Sequence, residues 1–318
     1  MNPLPLVTIA IPTYNRADTY LPEALQSALR QGYPNIEILV SDNCSIDHTR
    51  EYVTGIKDPR LRYFRHDANI GQRGNYDFCF QQARGDYVLL LHDDDRIDDD
   101  FVSSCIEAVD GDYEVGIIRT GVRIITASGD VVSQVSNEVA GLSVESFYRS
   151  WFAGRTAVYC CNTLFASQKL RRIGNFNSKH FCYPDTAAIF VLAAQHRRID
   201  IGEVKASFRI HGGEEGFSRR IHEWCEDSLD LLKLMCGLAP HHKEQILKEG
   251  ARFFARANYH RAASAATPLR RIMAILKVIN FFGYRQLPSL GVVVQISYGT
   301  RLYSIARSVK RHLRNSSS

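Results

Sequence analysis

Asp93, Asp94 and Asp95 stand directly after His92, at the end of the apolar run Tyr87–Leu91, and Asp98, Asp99 and Asp100 follow within five positions. Adjacent carboxylates repel, so three in a row at the end of a buried strand need bulk water or a cation. Hard divalent ions take oxygen ligands, and Mg²⁺ or Mn²⁺ commonly uses one or two carboxylates together with a substrate's phosphates. The pattern therefore points to a metal shared with a diphosphate. Asp98–Asp100 have a plainer explanation, because acids are favoured in the first turn of a helix.

The elements that must position these groups are legible in the first hundred residues. Continuous apolar runs at 6–11 and 36–42 flank a segment that places Leu21, Ala24, Leu25, Ala28 and Leu29 on one helical face. Strand, helix, strand with fully apolar strands is a parallel pair crossed by a helix. Residues 61–67 and 87–91 supply two more strands, with a helix-like stretch at 74–83 between them. The fold class is α/β, an open, mostly parallel sheet that gathers ligands at the carboxyl ends of its strands. At those ends stand Pro12–Asn15, Ser41–Ser45, His66–Asn75 and His92–Asp95. Farther on, 114–126 and 131–136 read as a hairpin about the turn Ala127–Asp130, and 198–213 as a strand ending in two glycines. From Ile221 the pattern is helical, which sets two regions, 1–220 and 221–318.

Composition narrows the class further. A chain of 318 residues, 45% apolar and 23% charged, is globular. Its net charge of +5 hides a split: no Asp or Glu occurs after Glu249, while twelve Lys and Arg do. Residues 301–314 form a basic amphipathic pattern around Leu302, Ile305 and Val309. Basic residues interleaved with Phe, Tyr, Leu and Ile suit an anionic membrane surface better than a nucleic-acid phosphate groove. The eight cysteines have neither CxxC nor framework spacing, and several lie in apolar runs, which suits a reducing cytoplasm. No stretch of 18 uninterrupted apolar residues suggests a transmembrane helix, and the N-terminus does not read as a signal peptide.

The series "VTIAIPTYNRADTYLPEALQSALRQGYPNIEILVSDNCSIDHT" followed by "NIGQRGNYDFCFQQARGDYVLLLHDDD" resembles the nucleotide-sugar-binding half of inverting glycosyltransferases of the GT-A type, family 2. The resemblance is continuous over 6–100 and extends to about 215. It implies a divalent cation, Mn²⁺ or Mg²⁺, and a nucleoside diphosphate sugar donor of UDP, dTDP or GDP type. His92 stands where the family commonly has the first Asp of its Asp-x-Asp-like signature. By that likeness Asp94, with Asp95, would ligate the metal and Asp93 would touch the ribose or the metal's water shell. Pro12, Thr13, Tyr14 and Asn15 would contact the nucleotide, and Asp42 would accept an N–H from the base. Arg73 would neutralise the diphosphate, with Gly71 and Gly74 permitting close backbone approach. Asp185, just before an apolar helix, would be the base that deprotonates the acceptor hydroxyl, and His211 a third metal ligand or a diphosphate contact. Asp185 and Asp42 also read as ordinary helix caps. The acceptor implied is a glycan or a lipid-linked sugar at the inner face of a bacterial membrane. Two other classes stay in view: a sugar-phosphate nucleotidyltransferase, disfavoured because "IPTYNR" lacks glycine, and a non-enzymatic nucleic-acid or membrane-binding protein led by the basic tail.

Overall fold

The structure, a computed structural model, describes residues 4–111, 114–211, 220–265, 267–283 and 286–288. It divides into two units, one of Met1–Asn177 with Tyr183–Glu214 and one of Ser178–Cys182 with Glu215–Ser318.

In the first unit strands and helices alternate: β1 (Val7–Thr13), α1 (Leu21–Leu29), β2 (Ile36–Asp42), α2 (Thr49–Gly55), β3 (Leu61–Arg65), α3 (Gly71–Gln82) and β4 (Tyr87–Leu90). β1 pairs in parallel with β2, from Val7 opposite Ile36 to Thr13 opposite Asp42, and with β4, from Val7 opposite Tyr87. Every residue of β1, β2 and β4 is buried, as largely apolar strands covered on both faces are; the one acid inside β2, Glu37, is paired with Thr8 and Arg62. The alternate side chains of these strands pack with Leu21 and Leu25 of α1 and with Phe101 and Val102 into one core.

The remaining elements of this unit are β5 (Arg96–Ile97), α4 (Phe101–Glu107), β6 (Val115–Ile125), β7 (Val131–Val135), α5 (Val144–Phe152), β8 (Thr163–Ala166), α6 (Ser167–Arg172), α7 (Pro184–Gln195) and β9 (Arg197–Arg209). Among the described residues the strands form one sheet in the order β3-β2-β1-β4-β8-β6-β9-β5, with β7 pairing β6 as the expected hairpin. Beyond β4 the directions mix: β8 runs antiparallel to both β4 and β6, while β6 and β9 run parallel.

The long β6–β9 pairing carries a buried ion pair. Arg119 lies opposite Asp200 in register, and both side chains are shut from solvent, with Nη1 3.3 Å from Oδ1. Asn137 donates to the same Oδ1 at 2.9 Å, Arg198 pairs with Oδ2, and Arg119 also reaches Thr156 at 3.2 Å. Removing one member strands a buried charge, which costs about 3–5 kcal/mol. Asp200→Ala is therefore expected to lower unfolding stability by about that amount in urea titration; a change under ~1 kcal/mol would mean that Arg119 is satisfied by its carbonyl and hydroxyl partners alone.

The second unit contains α8 (Ile221–Leu238), α9 (Lys243–Ala263) and α10 (Pro268–Phe282), packed around Cys225, Tyr259, Ala262, Ile275 and Val278. Buried Asp227 accepts from Ser178 Oγ at 2.7 Å and from the His180 and Cys182 backbone N–H groups at 2.9 Å each. No helix among the described residues is long and apolar enough to cross a membrane. The basic amphipathic pattern at 301–314 lies outside the described residues.

Candidate active site

Leu91 donates its N–H to Ala10 at 2.9 Å, so the chain stays bound to the middle of the sheet through the last apolar residue. It then turns, with Asp95 N–H reaching the His92 carbonyl at 3.1 Å. The turn gathers His92, Asp94 and Asp95 so that one ligand atom from each lies within 4.8 Å of the others. His92 Nε2 is tied to the Tyr76 hydroxyl at 2.9 Å, and its Nδ1 stands 3.8 Å from Asp95 Oδ2. An imidazole anchored through one nitrogen presents the other in a set direction, as metal-binding histidines do.

Asp95 is 1% exposed; Oδ1 accepts from Arg209 N–H at 2.9 Å, and Oδ2 is buried with no N–H or O–H partner among the described residues, only the weak S–H donor of Cys161 beside it. An unbonded buried carboxylate oxygen is costly. Set next to a second carboxylate and an imidazole, it fits a divalent cation of the Mn²⁺ or Mg²⁺ kind. Burial and then the charge of Asp94 push the Asp95 carboxyl well above the usual range, and the same two causes push Asp93 up to about 7. A bound cation would reverse both shifts.

Asp94 is held from two directions. Its Oδ2 lies 2.8 Å from His211 Nε2, and its carbonyl accepts from Arg209 Nε at 2.7 Å. Arg209 is buried and also donates to the Thr126 and Ala127 carbonyls at 3.1 Å each, pairs with Glu23 and lies 4.9 Å over the Tyr20 ring. Asp185 occupies the first turn of α7, where the helix end favours negative charge. Its Oδ2 accepts from Cys160 Sγ at 3.4 Å. Two consecutive cysteines therefore face Asp185 and Asp95, Cys160 the acid in the first turn of α7 and Cys161 the carboxylate cluster.

An open sheet carrying a metal-capable cluster at its carboxyl edge calls for comparison with known proteins. Residues 8–188 match the model of glycosyl transferase family 2. The chain belongs to that family. The succinoglycan biosynthesis protein ExoO of Rhizobium meliloti is 36% identical over 138 residues, 42% of this chain and 37% of that protein. The GalNAc(5)-diNAcBac-PP-undecaprenol beta-1,3-glucosyltransferase of Campylobacter jejuni is 31% identical over 113 residues, 35% of this chain and 36% of that protein. The chain thus spans little more than a third of these curated relatives. In fold it is similar to the mannosyltransferase PcManGT of Pyrobaculum calidifontis, solved with GDP-Man and Mn²⁺, at a TM-score of 0.57 and 17% identity over 98% of this chain and 81% of that one. This likeness at low identity supports the GT-A architecture.

Within this family 2 sheet the other expected residues are placed as follows. β1 runs on through Pro12 and Thr13, which the sequence pattern put in a loop; both are buried, with Pro12 opposite Ser41 and Thr13 opposite Asp42. Tyr14 is 44% exposed, and its N–H points to Asp93 Oδ2 at 3.4 Å. Asn15 takes a positive φ of 55°, and its Oδ1 accepts from Ile46 N–H at 2.8 Å. Its role here is to tie the first loop to the second, which αL-tolerant Asn does readily. Asp42 is fully buried, with Oδ1 on Ser45 N–H at 2.8 Å and Oδ2 on the Tyr63 hydroxyl at 2.6 Å. It is not open to a base in this conformation. Arg73 is exposed one turn before Tyr76 and donates to Asn177 at 3.0 Å. The other trio is paired to bases, Asp98 with Arg123, Asp99 with Arg30 and Asp100 with Lys205. Arg209, Cys160 and Cys161 carry no functional signal in the sequence; His92 is signalled by occupying the place of the family's first Asp.

Proposed function

We propose that the protein is an inverting, metal-dependent transferase that moves a sugar from a nucleoside diphosphate to a hydroxyl of a glycan or lipid-linked acceptor in bacterial surface polysaccharide synthesis. The observation that carries this reading is the cluster of His92, Asp94 and Asp95 at the carboxyl edge of a family 2 sheet. These residues would hold Mn²⁺ or Mg²⁺, which when bound neutralises the charge of the leaving diphosphate. His211, 2.8 Å from Asp94 Oδ2, would position that carboxylate or join it as a ligand. Arg73, on the α3 face that bears Tyr76, would meet the diphosphate by a bidentate contact. Tyr14 and Asp93 would line the nucleoside side, with the Tyr14 N–H already directed at Asp93. Asp42 would accept an N–H of uracil, thymine or guanine once the Tyr63 hydroxyl is displaced. Asp185 would take the acceptor's proton as its oxygen attacks the anomeric carbon opposite the leaving group. The basic C-terminal segment would keep the enzyme at the anionic inner face of the cell membrane, where lipid-linked acceptors are found.

The test is thermal stabilisation by UDP, dTDP, GDP, CDP and ADP, each with Mn²⁺, Mg²⁺ or chelator. One of the first three with metal is expected to stabilise by about 2.7 kcal/mol at a hundredfold excess over Kd, and chelator should abolish the effect. No response to any of the five would sink the reading.

A further inference from the structure

An amphipathic helix that packs on a core with one face ordinarily shows a polar face to water. α10 does not. It buries Ala274, Ile275 and Val278 in the second unit, yet Leu269, Ile272, Met273 and Leu276 are 71%, 49%, 53% and 55% exposed. At 3.6 residues per turn these four fall in a single stripe roughly 100° wide, opposite the buried face. Apolar side chains scattered singly over a surface need no explanation, but four large ones on successive turns form a patch. Exposed Arg270 and Lys277 run along one edge of it.

A second protein and a lipid interface could each cover such a stripe, and the charge favours the lipid. After Glu249 the chain carries twelve Lys and Arg and no Asp or Glu, so this region is complementary to an anionic sheet of headgroups. A protein groove would ask for mixed charges at the rim to set register. The length and the apolar stripe with cationic flanks match a helix lying in the plane of the interface.

We infer that α10 is the membrane-docking element of this protein: Leu269, Ile272, Met273 and Leu276 enter the headgroup–acyl boundary of an anionic bilayer while Arg270 and Lys277 pair with lipid phosphates. The inference rests on the proposed membrane-held acceptor and refines it, because it assigns docking to a helix between residues 268 and 282.

The experiment is flotation of the full chain with vesicles of phosphatidylcholine alone or with 30–40 mol% (about a third) phosphatidylglycerol, at low and at physiological salt. Wild type is expected to bind the anionic vesicles at least ~10-fold more tightly. Leu269→Glu with Leu276→Glu, and separately Arg270→Glu with Lys277→Glu, are each expected to weaken that binding at least ~10-fold, and each by more than Arg301→Glu with Arg307→Glu does. Metal-dependent nucleotide stabilisation, measured on every variant, stays at the wild-type level, so a lost donor site is told apart from a lost docking face. Wild-type binding by the stripe variants, no vesicle binding by wild type, or a dimer that Leu269→Glu with Leu276→Glu converts to monomer without any lipid affinity would each overturn the inference.

Discussion

Asp185→Asn is expected to lower kcat for sugar transfer by about 10³-fold while leaving metal-dependent donor binding within about 3-fold of wild type. Asparagine keeps the size of the side chain and the start of α7, but it cannot accept the acceptor's proton. General-base assistance is worth roughly 10²–10⁴-fold. The check is steady-state kinetics with a saturating acceptor, read beside the nucleotide thermal shift on the same preparation. Turnover within about tenfold of wild type would move the base elsewhere.

Asp94→Ala is expected to remove both functions at once. Transfer should fall by at least about 10³-fold, the equivalent of about 4 kcal/mol of lost charge stabilisation at the leaving diphosphate. Nucleotide stabilisation should become the same with Mn²⁺ as with chelator. The fold itself is expected to tolerate the change: Asp94 repels both Asp93 and Asp95, raising each of their pKa values, so the metal-free chain loses a strain along with one contact to His211. A thermal midpoint within a few degrees of wild type without metal separates loss of the site from unfolding. Mn²⁺-dependent stabilisation that survives Asp94→Ala would place the cation on other ligands.

The parallel half of the sheet was readable because β1, β2 and β4 are buried on both faces and so are rich in apolar residues. β5, with two residues, and β8, with four, carry no periodicity that a sequence can display. The mixed directions beyond β4 depend on which edges remain free when those short strands arrive. At the site, the aspartates after β4 and the acid before α7 could be named because charge in those places needs a reason. Arg209 carries no signal in the sequence, since a guanidinium that serves carbonyls 82 to 115 residues away leaves no local mark. The Ser45 and Tyr63 hydrogen bonds to Asp42 were equally out of sight, since Tyr63 lies a strand away.

Arg209 also imposes an order of assembly. It reaches Asp95 across 114 residues and Glu23 across 186. During synthesis at about 5–20 residues per second, the aspartates leave the ribosome roughly 6–23 seconds ahead of the arginine that braces them. The parallel strands can pair in that interval, but β4 waits with an open edge until β8 emerges, and a carboxylate-rich end helps to keep such an edge from pairing with another chain. The braced cluster is then completed among the last events of the lobe's folding, since contacts of such long range form slowly. A nascent chain that stalls before β9 would carry the aspartates without the fastening that shapes them.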